Sequence, residues 1–240
     1  RDILPMRPLN SHKGTFGKSL IVGGSSQYIG APYLAVAAAS RVGSGLVTAA
    51  IPESIKNPIA LKATEATILP LPGNAEGGVA MEATELILKR SERYNAILLG
   101  CGLGTSHETK KMLEDLLYSN TDLPATVVDA DGLNILSKKT EWWRSFSAKA
   151  VITPHFNEMK RLLQTSDGFS PNERIDIATS TSKRWNKIVV LKGPYTVVAD
   201  PDGGAMVSPF ANPALATAGT GDVLAGVITG FLSQGLNIKN

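Results

Sequence analysis

Seven short runs, at 20–23, 46–50, 66–69, 96–99, 125–128, 150–152 and 188–191, are apolar almost throughout. A strand that reads as a continuous hydrophobic run, with no polar alternation, is buried on both faces, as in a parallel sheet covered by helices. Segments with helical spacing fall between the runs, at 31–43, 79–91, 106–119, 131–138, 156–164, 171–185 and 222–234. Ser170, Pro171 and Glu173 support one of these starts, with a capping-box spacing and proline at the first helical position. Such alternation implies βαβ units with right-handed crossovers. The rhythm changes late. Segments 196–199 and 205–208 flank Asp200-Pro-Asp-Gly-Gly204, which reads as a hairpin, so an antiparallel edge should finish the sheet. The expected fold is a three-layer α/β/α sandwich in one domain over 1–240, since no repeat or linker divides the chain.

Composition narrows the function. Of 240 residues, 43% are hydrophobic and 19% charged, as in an ordinary globular protein. The net charge of +3 is scattered, with no Lys/Arg run to form a nucleic-acid groove. Cys101 is the single cysteine, so no intrachain disulfide can form, which fits a reducing compartment. No apolar run is long enough to span a bilayer. Residues 1–18 hold Asp2, Arg7, His12 and Lys13 without an apolar core segment, unlike a secretory signal.

Open α/β sheets bind ligands beyond the carboxyl ends of their strands. Glycine-rich or polar turns fall at those ends, at 23–26, 100–104, 129–131, 153–158 and 192–194. The strongest site signal comes later, in Asn212-Pro-Ala-Leu-Ala-Thr-Ala-Gly-Thr-Gly-Asp222, which runs directly into an apolar helix. Gly219 and Gly221 permit tight turning and close approach to a ligand. The helix start supplies unpaired N–H groups and a positive dipole end for an anion, and Asp222 supplies a base. That pairing suits phosphoryl transfer to a hydroxyl; an Asp capping a helix after a glycine turn would read the same way.

Other motifs are weaker. Lys13-Gly-Thr-Phe-Gly-Lys-Ser19 has two residues where a phosphate loop needs four, and precedes a strand instead of following one, although Lys13 could reach an anion. The 100–104 glycines do not match the dinucleotide fingerprint, and Cys101 reads as a small, partly buried filler. Asp129-Ala-Asp131-Gly132 fails as a calcium loop, leaving Asp131 as a helix cap. His155 and Glu158 share a helical face, and Glu158 could hold magnesium through water or simply belong to a cap. Lys192 could contact phosphate, with Gly193 letting a nucleotide lie close.

Together these segments resemble the ribokinase-like superfamily, and more specifically the ADP/ATP-dependent NAD(P)H-hydrate dehydratases. The resemblance runs in order through Ser11-His-Lys-Gly-Thr-Phe-Gly17, Gly30-Ala31, Gly43-Ser-Gly-Leu-Val47, Gly100-Cys-Gly-Leu-Gly104, Asp129-Ala-Asp-Gly-Leu-Asn134, Thr153-Pro-His155 with Glu158, Lys192-Gly193, Asn212-Pro-Ala and Gly219-Thr-Gly-Asp222. It implies a cytoplasmic lyase of metabolite repair. ATP or ADP would phosphorylate the C6 hydroxyl of hydrated NADH or NADPH (NADHX or NADPHX), and elimination of phosphate would restore the dinucleotide. By the same resemblance Asp222 is the catalytic base, and the N–H groups of Ala218, Gly219, Thr220 and Gly221 form the anion hole. Ala31, Gly102, His155 and Asp222 hold the hydrated dinucleotide. Lys192, Gly193, Pro194, Tyr195, Thr196 and Gly221 bind the adenine nucleotide, and Glu158 organises Mg2+. A homotetramer is implied, as are an epimerase as partner or fused domain and a further C-terminal segment beyond Asn240; neither a nucleic-acid nor a membrane partner is. The chain departs from the family pattern at Cys101 (usually Pro), at Phe156-Asn157 (usually Pro-Gly) and at Ala218 (usually Gly). Two other functions stay compatible with the residues: a vitamin-precursor kinase of the hydroxyethylthiazole type, and a non-catalytic nucleotide-binding protein.

Overall fold

The computed structural model describes residues 4–118, 122–165 and 169–239. The last residue of the expected 106–119 helix and both ends of the expected 1–240 domain lie outside them. The strands are β1 (Lys18–Val22), β2 (Leu46–Pro52), β3 (Thr67–Leu71), β4 (Ala96–Leu99), β5 (Ala125–Val128), β6 (Ala150–Ile152), β7 (Ile188–Leu191), β8 (Val197–Ala199) and β9 (Ala205–Val207). They form one sheet in the order β3-β2-β1-β4-β5-β6-β7-β8-β9. β1 to β7 are parallel, while β8 and β9 add antiparallel. The late hairpin turns where Asp200 Oδ1 accepts the N–H groups of Asp202 and Gly204.

The continuous apolar runs are explained by two cores. Leu20, Val22, Ile97, Leu99, Val128, Ile152 and Val189 face one side, and Ile21, Leu98, Val127, Val151 and Val190 the other. Each Leu or Ile taken fully out of water contributes about 1.5–3 kcal/mol. The helices are α1 (Gly30–Arg41), α2 (Lys56–Lys62), α3 (Ala83–Ser91), α4 (His107–Tyr118), α5 (Asp131–Leu136), α6 (Trp142–Ser145), α7 (Phe156–Leu163), α8 (Arg174–Trp185) and α9 (Thr220–Ser233). The first face is covered by α3 to α8, and the second by α1, α2 and α9. Among the described residues, no helix is long and apolar enough to cross a membrane.

Several boundaries differ from the sequence reading. The helix expected from Val79 begins at Ala83, because Val79 bridges to Gly73 and Ala80 N–H donates to Pro72 O, holding that stretch extended. At 171–173 the chain makes a 3-10 turn before α8, with Glu173 accepting the Ser170 N–H. The short helices α2 and α6 lack enough turns to show a period.

Two relationships position the site. The sheet order reverses between β1 and β4, and Gly24 N–H donates to Cys101 O across that switch point at 2.9 Å. Helix α9 then crosses β1, β4 and β5 while lying very close to α1. A Cβ on Gly226 would fall 2.3 Å from Ala35 O, and one on Gly230 would fall 2.4 Å from Val42 Cγ2. Glycine at these two positions lets the backbones touch and aims the start of α9 at the switch point.

Candidate active site

Gly219, at φ 92°, turns the chain into α9 in a conformation that L side chains rarely adopt. The first backbone bond of the helix is Val223 N–H to Gly219 O at 3.0 Å. The N–H groups of Thr220, Gly221 and Asp222 therefore have no protein acceptor among the described residues. The Thr220 hydroxyl turns away, donating to Leu215 O and Thr217 O, so this residue offers the site its N–H alone. The result is a ready anion site at the positive end of a helix.

Asp222 stands at this terminus. Burial raises its pKa, as do the nearby Asp129 and Asp131 carboxylates, while a hydrogen bond from Cys101 and the charge of Lys192 oppose the rise. Cys101 is fully buried rather than partly so, and burial first, then Asp129 and Asp222, push its thiol well up. It is a protonated donor and not a nucleophile.

An ion pair lies at the ends of β5 and β7. Lys192, at the end of β7, places Nζ 2.6 Å from Asp129 Oδ1 and 3.7 Å from Glu158 Oε2. Asp129, at the end of β5, is 1% exposed and also accepts from Thr153 Oγ1 at 2.8 Å. Burial works against the Lys192 charge, but Asp129 and Glu158 outweigh it and leave the amine raised. A Cβ on Gly221 would lie 3.5 Å from Lys192 Nζ and 3.7 Å from Asp129 Oδ2. The ammonium thus sits directly beside the first turn of α9.

His155 and Glu158 form a capping box at the start of α7. His155 Nδ1 accepts from Asn157 N–H and Glu158 N–H at 3.1 and 3.3 Å, and Glu158 Oε2 accepts the His155 N–H at 2.7 Å. The capping alternative offered by the sequence is therefore present, and Glu158 also faces Lys192. Burial raises Glu158. Burial, with Lys192 and Arg161, lowers His155, so the ring is neutral and free to accept.

The other sequence-predicted residues fall around this centre. A Cβ on Gly102 would lie 2.9 Å from the Ala31 Cβ, so these two meet at the switch point. Gly193, Pro194, Tyr195 and Thr196 form the turn after Lys192, with Tyr195 in the left-handed region at φ 53°. Two expectations are corrected. Asp131 is the first helical residue of α5, and no side chain caps that helix; its carboxylate instead accepts the Gly104 N–H at 2.8 Å. Lys13 lies before β1, at the rim opposite the strands' carboxyl ends, so it cannot join the site. Gly45 N–H donates to Phe16 O and Leu46 N–H to Gly17 O, making 11–17 and 43–47 a structural clasp.

Sequence reasoning missed two residues. Asp129 had a signal, as an ionisable side chain directly ending a buried strand. Arg174 had none. It reaches from α8 to donate to Leu191 O at 3.0 Å and to Pro194 O, bracing the turn after Lys192.

Among the described residues, no three His, Cys, Asp or Glu side chains are grouped to hold a metal alone. Asp129, Glu158 and Asp222 nevertheless surround one ammonium, so an entering polyphosphate meets net negative charge. This donor set suits a hard cation carried in mainly by phosphate and water oxygens.

Residues 19–240 match the family model described as NAD(P)H-hydrate dehydratase. A bifunctional NAD(P)H-hydrate repair enzyme from Moorella thermoacetica is 40% identical over 98% of this chain and 44% of its own length. The chain thus spans about half the length of the bifunctional relatives it matches. An ADP-dependent (S)-NAD(P)H-hydrate dehydratase from Neisseria meningitidis is 37% identical over 98% of this chain and 76% of its own. A crystal structure of ADP/ATP-dependent NAD(P)H-hydrate dehydratase from Bacillus subtilis, co-crystallized with ATP/Mg2+, superposes with a TM-score of 0.75 and 30% identity, covering 97% of this chain and 78% of that one.

Proposed function

The chain belongs to the NAD(P)H-hydrate dehydratase family, and from that premise we propose that it restores hydrated NADH and NADPH at the expense of ATP or ADP. The observation that carries this reading is the meeting of three groups at one point: the unpaired N–H groups of α9, the Asp222 carboxylate and the Lys192 ammonium.

Each group has a task in the proposed reaction. Asp222 accepts the proton of the C6 hydroxyl as its oxygen attacks the terminal phosphorus of the nucleotide and the bridging P–O bond breaks, releasing ADP from ATP or AMP from ADP. The N–H groups of Gly219 to Gly221 and the Lys192 charge stabilise the transferring phosphoryl oxygens, a task that dominates phosphoryl transfer. The ring nitrogen lone pair then expels phosphate, and loss of a C5 proton restores the dihydronicotinamide. Ala31, Gly102 and His155 line the dinucleotide side. Gly193 to Thr196 take the adenine nucleotide. Glu158 and Asp129 would accept hydrogen bonds from water on Mg2+, which when bound neutralises phosphate charge. We further propose that the described elements act as one domain, that copies assemble as a tetramer, and that an epimerase works with it as partner or fused domain.

The test is recovery of the reduced-nicotinamide absorbance band from hydrated NADH with magnesium and either ATP or ADP. Recovery with one nucleotide, lost in Asp222→Asn, supports the reading and names the donor. A folded protein that restores nothing with either nucleotide overturns it.

A further inference from the structure

Asp129 does more than end a strand. Its side chain is buried and holds two partners, Thr153 Oγ1 at 2.8 Å and Lys192 Nζ at 2.6 Å, while Oδ2 faces the Gly221 Cα. The next residue, Ala130, adopts φ 50° and ψ −118°, a region that a residue with a Cβ enters only under strain. Gly132 N–H donates back to Asp129 O at 3.0 Å, and Thr153 N–H donates to Val128 O, so the backbone around the carboxylate is tied on both sides. Strain held by such ties indicates a side chain whose direction matters.

The lysine it meets has a choice of partners. Glu158 Oε2 lies 3.7 Å from Nζ on the side of α7, away from the closer Asp129 contact. The 2.6 Å contact with Asp129 holds the ammonium on the α9 side, where Gly221 closes in. With Asp129 replaced by asparagine, Glu158 would be the stronger partner, and the charge would move toward α7. A flexible four-carbon stem permits that shift.

Building on the dehydratase reading, we propose that Asp129, anchored by Thr153, is the positioning residue that holds the Lys192 ammonium beside the N-terminus of α9, where it completes the site for the transferring phosphoryl group. Asp129 itself touches no substrate. Its carboxylate sets where the charge of Lys192 falls, and Thr153 sets where the carboxylate points.

The experiment compares Asp129→Asn, Lys192→Met, Thr153→Val and the two pairings with Lys192→Met. Two readouts are used: turnover of hydrated NADH, and calorimetric binding of ATP and of adenosine in magnesium buffer. Asp129→Asn should lower kcat by roughly 10²-fold, the scale for losing one preorganised charge or donor. It should weaken ATP binding and leave adenosine binding unchanged, a split that general unfolding would not produce. In the Lys192→Met background neither Asp129→Asn nor Thr153→Val should cost anything more, because the group they position is gone. Effects that multiply with Lys192→Met overturn the proposal, as does equal weakening of ATP and adenosine. If Asp129→Asn does not fold, Thr153→Val decides by the same two criteria. If the unmodified protein binds ATP but leaves hydrated NADH untouched, the dehydratase reading fails while the binding comparison still judges Asp129.

Discussion

The buried Cys101 thiol lies beside the Asp222 carboxylate, where the end of β4 meets the start of α9. The thiol favours the ionised form of Asp222 against the burial that disfavours it. A base must be ionised to act, so activity should fall as pH drops through the Asp222 pKa, which lies above the ordinary aspartate value. Cys101→Ala removes a group that lowers that pKa, so the acid limb of kcat/KM should move to higher pH, while Cys101→Ser restores it. An acid limb that stays in place in the alanine variant would show that the thiol does not tune the base.

The sequence displayed the fold because its strands are buried on both faces, and a run such as 96–99 cannot be mistaken for a half-exposed strand. It also displayed the glycine loop that opens α9, since Gly219, Gly221 and Asp222 are adjacent in the chain. What it hid is contact between distant segments. Asp129 and Lys192 are neighbours only because β6 separates β5 from β7 by one strand. Arg174 serves the turn after Lys192 from a helix whose local pattern shows only an exposed charge. The Ser11–Gly17 motif belongs to the fold rather than to the site. Its glycines serve a clasp at the far rim, where a Cβ on Gly17 would lie 1.7 Å from Ser233 O.

His155 separates two roles that one substitution would confuse. As a cap it accepts two N–H groups of α7 through Nδ1. As a proposed substrate contact it presents a ring that is 47% exposed. His155→Ala should cost about 1 kcal/mol, the usual loss for a helix cap. His155→Asn keeps an acceptor oxygen and should recover most of that stability in urea titration. If the ring also binds the dinucleotide, both variants should raise KM for hydrated NADH to a similar extent. Normal KM in the asparagine variant would confine His155 to capping.

Gly226 should be among the least replaceable residues outside the site. An added methyl would meet Ala35 O at 2.3 Å and Ala35 Cα at 2.8 Å, both backbone atoms of α1 that cannot swing aside. Gly226→Ala should therefore destabilise by about 1–3 kcal/mol despite its better helix propensity, as overpacking does. It should also lower kcat, because the helix pushed off α1 is the one that presents Asp222. Gly235→Ala is the contrast for space, since nothing crowds its Cβ position, although its φ of 89° still carries backbone strain. A Gly226→Ala midpoint within experimental scatter of the parent would mean that the two helices can part freely.

Lys187 is the most costly charge away from the site. The residue is 3% exposed, its Nζ donates to Asn186 O at 3.3 Å, and the Phe146 ring lies 5.1 Å away. Burial lowers its pKa to about 8. Below that value the native state carries a charge that it solvates poorly, whereas the unfolded chain solvates it well. Between the folded pKa and the unfolded value near 10.5 the unfolded state binds more protons, so stability rises with pH across that window. Replacing the amine by a thioether of similar length removes the penalty. Lys187→Met should raise stability at pH 7 by about 1 kcal/mol, a figure reduced because the amine keeps its hydrogen bond to Asn186 O. The advantage should be constant below pH 8 and shrink toward pH 10, as the native lysine sheds its proton. Urea midpoints of both proteins at pH 7 and pH 10 measure this directly. An equal gap at the two pH values would assign any gain to packing rather than to charge.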